Sequence, residues 1–204
     1  MLFDYLVTGH ALETNPVTSV RGPRYSIKRG KTPVLSVDDA RQLLESIERD
    51  TIAGLRDRAL IATMLFSFAR VGAVLKMNVE DYYQNGKRCW FRLHEKGGKF
   101  HEVPAHHKAE EYIDAYLVAA RIGVDSRSPL FRTVNRHRQL TDTRMHRNDA
   151  LRMVKRRAHQ AGLGTNYGCH TMRATGITAY LANGGTIEKA AQIANHESTR
   201  TTQL

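Results

Sequence analysis

The sequence predicts a mainly α-helical domain carrying a small antiparallel β-sheet, and three observations lead there. Apolar residues recur at helical spacing, as Val37, Ala40, Leu43, Leu44 and Ile47 in one stretch and Ala109, Tyr112, Ile113, Tyr116, Leu117 and Ala120 in another. Between them, Cys89-Trp90-Phe91-Arg92-Leu93 and Lys99-Phe100-His101-Glu102-Val103 read as two short strands around Gly97-Gly98, a hairpin ended by Pro104. The chain's 204 residues suffice for one well-buried domain with an appendage, and no apolar run approaches the roughly 20 residues of a membrane span.

Taken in order, residues 1–12, with Leu2, Phe3, Tyr5, Leu6 and Leu12, look like the end of an apolar helix that has nothing before it to pack against. From Val17 to Lys31 the chain is rich in Arg, Lys, Gly and Pro, which favours an extended linker; a solvated charge run and a phosphate-contacting strap both fit it. Residues 1–31 therefore form a helix end plus basic linker, and residues 32–204 the main domain. Ser36 with Asp39 makes a capping box that opens the first helix of that domain. The stretch from Leu55 to Phe68 is hydrophobic on every side, as a central core helix must be.

Farther on, His106 and His107 open the next helix, which ends before Gly123. With His94 and His101 they invite a metal hypothesis, but adjacent histidines project apart and no Cys or acidic ligand completes a recognised spacing, so no metal is expected. Pro129-Leu130-Phe131 can add a short strand or turn, and the polar, basic stretch from Arg132 to Arg147 reads as a loop. A helix from about Asn148 to Gln160 should bury Leu151, Val154 and Ala158, leaving Arg152, Lys155, Arg156 and Arg157 on its other faces, with Gly162 ending it. In the last third, Thr171 opens a helix that Asn183-Gly184-Gly185 stops, and Thr186 caps another running from Ile187 to about Ala194.

Charge narrows the function class. Thirty-one Lys and Arg against 20 Asp and Glu give a net charge of +11, an excess that attracts a polyanion, of which DNA is the simplest. Only Cys89 and Cys169 are present, so neither a disulfide framework nor a Cys-rich zinc site is supported, and a reducing cytoplasm fits. The start, Met1-Leu2-Phe3-Asp4-Tyr5, lacks the basic region of a signal peptide.

The chemistry concentrates near the end of the chain. His170 and Arg173 stand three apart, which places an imidazole and a guanidinium on one helix face, and the following helix delivers His196 at its end. This constellation resembles the HxxR and following His of the tyrosine recombinases, the phage-integrase family. The resemblance extends backward: Arg70 in Phe68-Ala69-Arg70-Val71-Gly72 looks like the family's first arginine, and Lys96 in Glu95-Lys96-Gly97-Gly98-Lys99 like its hairpin lysine, with Lys99 as the nearby alternative. One departure stands out, since the family often has an acidic residue three positions after the first arginine and Ala73 stands there.

The resemblance implies the tyrosine-recombinase catalytic-domain fold and a site-specific strand cleavage and rejoining through a 3′-phosphotyrosine, without cofactor or metal. Arg70 and Arg173 would hold the phosphate, Lys96 protonate the leaving oxygen, His170 assist proton transfer, and His196 hydrogen-bond the phosphate. Double-stranded DNA and further recombinase subunits, a tetramer on two duplexes in the family, are the implied partners. The ending from Ser198 to Leu204 also fits, and in the family the nucleophilic tyrosine comes immediately after it. No tyrosine from Tyr5 to Tyr180 takes that place, and residues 1–12 resemble the last helix of the family's N-terminal core-binding domain, so the chain is expected to be truncated at both ends and to bind DNA without cleaving it. A naturally truncated, binding-only remnant is the alternative.

Overall fold

The computed structural model describes residues 2–20, 32–95, 100–123, 125–164, 166–196, 199 and 202. The chain divides into two compact units, Met1–Gly30 and Lys31–Leu204. In the first, helix α1 (Leu2–Thr8) buries none of its residues, and the Asn15 amide donates to the Asp4 carboxylate at 2.7 Å. Most of the basic linker, residues 21–31, lies outside the described residues.

The second unit is helical with a small antiparallel sheet. Helix α2 (Val37–Glu45) starts where Ser36 Oγ accepts the Asp39 N–H at 3.0 Å, and it turns Leu43 and Leu44 inward. Helix α3 (Ile52–Ser67) is capped by Thr51 and begins three residues earlier than the apolar pattern alone suggests. It is buried along most of its length and ends at Phe68 in the left-handed conformation, φ 53°. Two short elements follow that the sequence reading did not contain: helix α4 (Val71–Lys76), with Arg70 at its N-cap, and strand β1 (Tyr82–Asn85).

Strand β1 adds to the expected hairpin of β2 (Arg88–His94) and β3 (Phe100–Pro104), making a three-stranded antiparallel sheet that pairs Tyr82 with Phe91 and Phe91 with Val103. Helix α5 (His107–Ala120) starts as expected, with His106 Nδ1 accepting the Lys108 N–H at 3.2 Å. The loop expected over residues 132–147 is instead a second hairpin, β4 (Arg132–Val134) and β5 (Leu140–Arg144). Its arginines brace the protein: Arg144 donates to the carbonyls of Leu75 and Met77 at 2.6 and 2.9 Å, and Arg132 to Asp142 at 2.6 Å.

Helix α6 (Arg147–Gln160) buries Val154 and Ala158 as its sequence suggested, and departs from that reading at Leu151 and Arg157. Leu151 is exposed, whereas Met153, Val154, Ala158 and Arg157 are buried. The reason lies on α3, where the fully buried Asp57 accepts from Arg56 at 2.6 Å, from Arg157 at 3.0 Å and from Arg156 at 3.1 Å. A carboxylate without water needs such partners, and satisfying it sets the rotation of α6. Helix α7 (Cys169–Ala182) begins two residues before the expected Thr171, whose hydroxyl reaches back to the Gly168 N–H at 3.2 Å. Helix α8 (Ile187–Ile193) is capped by Thr186, as its sequence indicated.

Helices α5 and α7 both lie against α3. At Gly176 the approach is so close that an added Cβ would stand 1.9 Å from the Leu65 carbonyl, so the α3–α7 crossing depends on the missing side chain.

Two stability predictions follow from this packing. Asp57→Ala should cost about 3–5 kcal/mol in urea unfolding, because it strands buried guanidinium charge. Arg156→Ala, whose side chain is 52% exposed, should cost less than about 1 kcal/mol.

Candidate functional site

A cleft of about 450 Å³ opens between α4, the end of β2 and the first turns of α6 and α7, and among its walls are Arg70, Glu95, Arg147, His170 and Arg173. Local structure puts each of them there. Arg70 emerges at the N-cap of α4, immediately after the left-handed end of α3. His170 and Arg173 come from the first and second turns of α7, and the three-residue spacing brings both to the same cleft. A larger, mainly apolar cleft of about 600 Å³ between α2, α3, α5 and α7 is lined by none of Arg70, His170, Arg173 and His196.

The two arginines are held differently. Arg173 is buried; it donates to the carbonyl of Phe68 and, at 2.7 Å, to that of Ala194. Burial, reinforced by the nearby Arg70 charge, lowers its pKa from the usual value to about 10, so it remains a cation at neutral pH. Arg70 is 45% exposed, and its Nη1 donates to Glu95 Oε2 at 3.2 Å. The position three residues after Arg70 is the buried Ala73, and the carboxylate comes from Glu95 on the sheet instead.

His170 is exposed at the start of α7. His196 follows α8 after Asn195, which takes a left-handed φ of 49°, and its Nδ1 pairs with the hydroxyl of Thr202 at 2.8 Å. Burial first, then the charges of Arg173 and Arg70, push the His196 pKa down to about 4, so the ring is neutral at pH 7. Lys96 and its neighbour Lys99 lie outside the described residues. The structure thus gathers Arg70, His170 and Arg173 in one cleft, with His196 close enough to feel both guanidinium charges.

Among the charged cleft residues that the sequence does not assign to the site are Lys76, Glu95, Arg144 and Arg147. Glu95 directly precedes Lys96 in the hairpin motif, and that adjacency was the available signal; Arg147 opens α6, where only its basic character could have pointed to it. None of the chain's tyrosines lines the cleft among the described residues.

Residues 33–204 match the phage integrase family. The chain is 29% identical to tyrosine recombinase XerC of Thermodesulfovibrio yellowstonii over 209 residues, covering 99% of this chain and 66% of that protein. Among solved structures, that of XerA recombinase superposes with a TM-score of 0.70 at 25% identity, over 86% of this chain and 60% of the other. A structure described as XerH site-specific recombinase bound to difH substrate in a pre-cleavage complex has a TM-score of 0.68 at 20% identity, over 99% and 57%, and shares the fold. The chain therefore spans just under two thirds of the length of the first of these relatives.

A pH titration tests the environment of His196. Its ring protons should titrate near 4 by NMR rather than near the ordinary 6.5. Because the folded pKa is the lower one, the unfolded chain takes the proton first, and stability should fall as pH drops from about 6.5 toward 4 while staying flat above. Arg173→Ala should also lower unfolding stability by about 1.5–3 kcal/mol, since it removes charge-assisted bonds to two backbone carbonyls.

Proposed function

We propose that this chain, which belongs to the phage integrase family, is the catalytic region of a site-specific DNA recombinase that cleaves and rejoins strands through a 3′-phosphotyrosine. The observation that carries this reading is the pair of guanidiniums, Arg70 and Arg173, converging on one open cleft of a chain with net charge +11. Phosphoryl transfer gathers negative charge on the non-bridging oxygens, and guanidinium forks offset it with fixed, paired donors.

In this reading Arg173 keeps its remaining N–H groups for one phosphate oxygen, while Arg70 reaches another from the opposite wall. His196, neutral and tethered through Nδ1 to Thr202, turns Nε2 to the phosphate as an uncharged donor. His170, at the cleft mouth, assists proton transfer. A tyrosine oxygen attacks phosphorus, the bond to the 5′ oxygen breaks, and Lys96 supplies the proton that oxygen needs. The phosphotyrosine keeps the bond energy, so a 5′ hydroxyl from a second strand can reverse the step without ATP. Since no tyrosine lines the cleft among the described residues, we assign to these 204 residues the binding and polarisation of the phosphodiester, not its cleavage.

Duplex DNA is the proposed partner, with further copies of the recombinase acting on a second duplex, and the location is DNA-associated in the cytoplasm. Among the described residues no helix is long and apolar enough to cross a membrane.

Binding of a labelled duplex measures the electrostatic part of this reading. If about 6–10 phosphates are neutralised, affinity should fall roughly 10³–10⁵-fold between 50 and 200 mM salt, and salt-insensitive binding would remove DNA as the partner. Incubation of the 204-residue chain with DNA should leave no covalent adduct on denaturing gels; an adduct would overturn the binding-only assignment.

A further inference from the structure

We propose that Glu95 is the positioning residue for Arg70, holding the guanidinium from the sheet side of the cleft so that it meets the phosphate in a fixed orientation. The inference rests on the reading of Arg70 as a phosphate ligand and adds to it a residue outside the set assigned above.

The carboxylate of Glu95 is 8% exposed and accepts from Arg70 Nη1 at 3.2 Å. A carboxylate that withdrawn from water needs a cation, and among the described residues Arg70 is the one paired with it. Arg70, in turn, has little else to hold it: it is 45% exposed and makes no side-chain capping bond at the start of α4. A long side chain left free would sample many rotamers, and one charge-assisted bond to a buried acceptor removes most of them.

Glu95 is itself well anchored. It follows β2, in which Phe91 and Leu93 are fully buried and paired to Val103 and His101 of β3. It is also the single acid among the described residues lining the cleft, where Arg70, Arg144, Arg147, Arg173 and Lys76 are the cations. Its charge acts at Arg173 in the sense opposite to the repulsion from Arg70. Among the described residues Glu95 takes one nitrogen of the Arg70 fork, Nη1, which leaves N–H groups for a phosphate oxygen. The next residue in the chain is Lys96, so one ion pair links the hairpin carrying that lysine to the helix carrying Arg70.

The test compares Glu95→Gln, Glu95→Asp and Arg70→Ala in a cleavage-competent form of the protein, with duplex affinity measured alongside the single-turnover cleavage rate. Glu95→Gln keeps the shape and removes the charge; it should slow cleavage by about 10²-fold, the scale set by small misplacements of a catalytic group, while affinity for the duplex stays the same or tightens. Glu95→Asp, charged but shorter, should fall between Gln and parent. Adding Ala73→Glu to Glu95→Gln should recover cleavage, because residue 73 is the third of α4, lines the same cleft and can direct a carboxylate back toward the N-cap.

If Arg70→Ala cleaves like the parent, the reading of the cleft itself fails. If Arg70→Ala is dead and Glu95→Gln cleaves normally, the positioning role fails and the cleft reading stands. The 204-residue chain supplies an activity-free readout: the Arg70 Nε–Hε NMR signal, assigned by its loss in Arg70→Lys, should broaden or average in Glu95→Gln and return in Glu95→Gln/Ala73→Glu. An unchanged signal would overturn the proposal. Should Glu95→Gln fail to fold, Glu95→Asp carries the same comparison.

Discussion

The geometry of the cleft depends on Arg173 and the two carbonyls it holds. Phe68 ends α3 and Ala194 ends α8, so both acceptors belong to helix C-termini, where carbonyls lack helical partners and the dipole favours a cation. One guanidinium from α7 thus pins the ends of two other helices. Arg70 leaves the chain just beyond Phe68, and His196 just beyond Ala194. Their separation is set less by their own contacts than by the reach of the Arg173 fork. Gly176, one turn later on α7, lets the Leu65 carbonyl approach and keeps α7 against α3 at the depth this bonding requires.

The same economy governs the few acids of a basic chain. Among the described residues three are buried, and each serves basic side chains: Asp57 receives Arg56, Arg156 and Arg157, Asp81 receives His94 at 2.6 Å, and Glu95 receives Arg70. Buried carboxylates are costly unless paired, so each dictates where an otherwise mobile arginine or histidine must lie. Asp57 fixes α6 against α3, and Asp81 ties the start of β1 to the end of β2. With so many cations and so few buried anions, most basic side chains remain at the surface, where a polyanion can meet them.

Much of this fold was legible in the sequence wherever a local rule decides. Ser36, Thr186 and His106 cap helices as their positions indicated, and the hairpin around Gly97-Gly98 forms from β2 and β3. Helix α4 and strands β1, β4 and β5 were not, because elements of three to six residues complete too little of a period to stand out. On α6, Val154 and Ala158 face inward as expected, and Leu151 and Arg157 depart for a different reason. Composition favours Leu151 inside and Arg157 outside, but Asp57 lies 100 residues away in sequence and reverses the order. The cleft shows the same division: the spacing of His170 and Arg173 placed both on one wall, whereas the Glu95–Arg70 pair spans 25 residues and two different elements.

The charge states in the cleft suit the proposed chemistry through their imbalance. Were His196 a cation, it would add its charge to those of Arg70 and Arg173, with Glu95 the single acid among the described residues lining the cleft, and the free protein would carry that repulsion. A neutral imidazole avoids it and still offers a donor. What remains, among the described residues, is a cleft in which five cations, Arg70, Lys76, Arg144, Arg147 and Arg173, face one carboxylate, a site short of negative charge. In the proposed reaction a phosphodiester would bring that charge, and the transition state would add more of it on the same oxygens. The donors need not reorganise at that moment: Arg173 is held by backbone and His196 by Thr202, and Glu95 restrains Arg70.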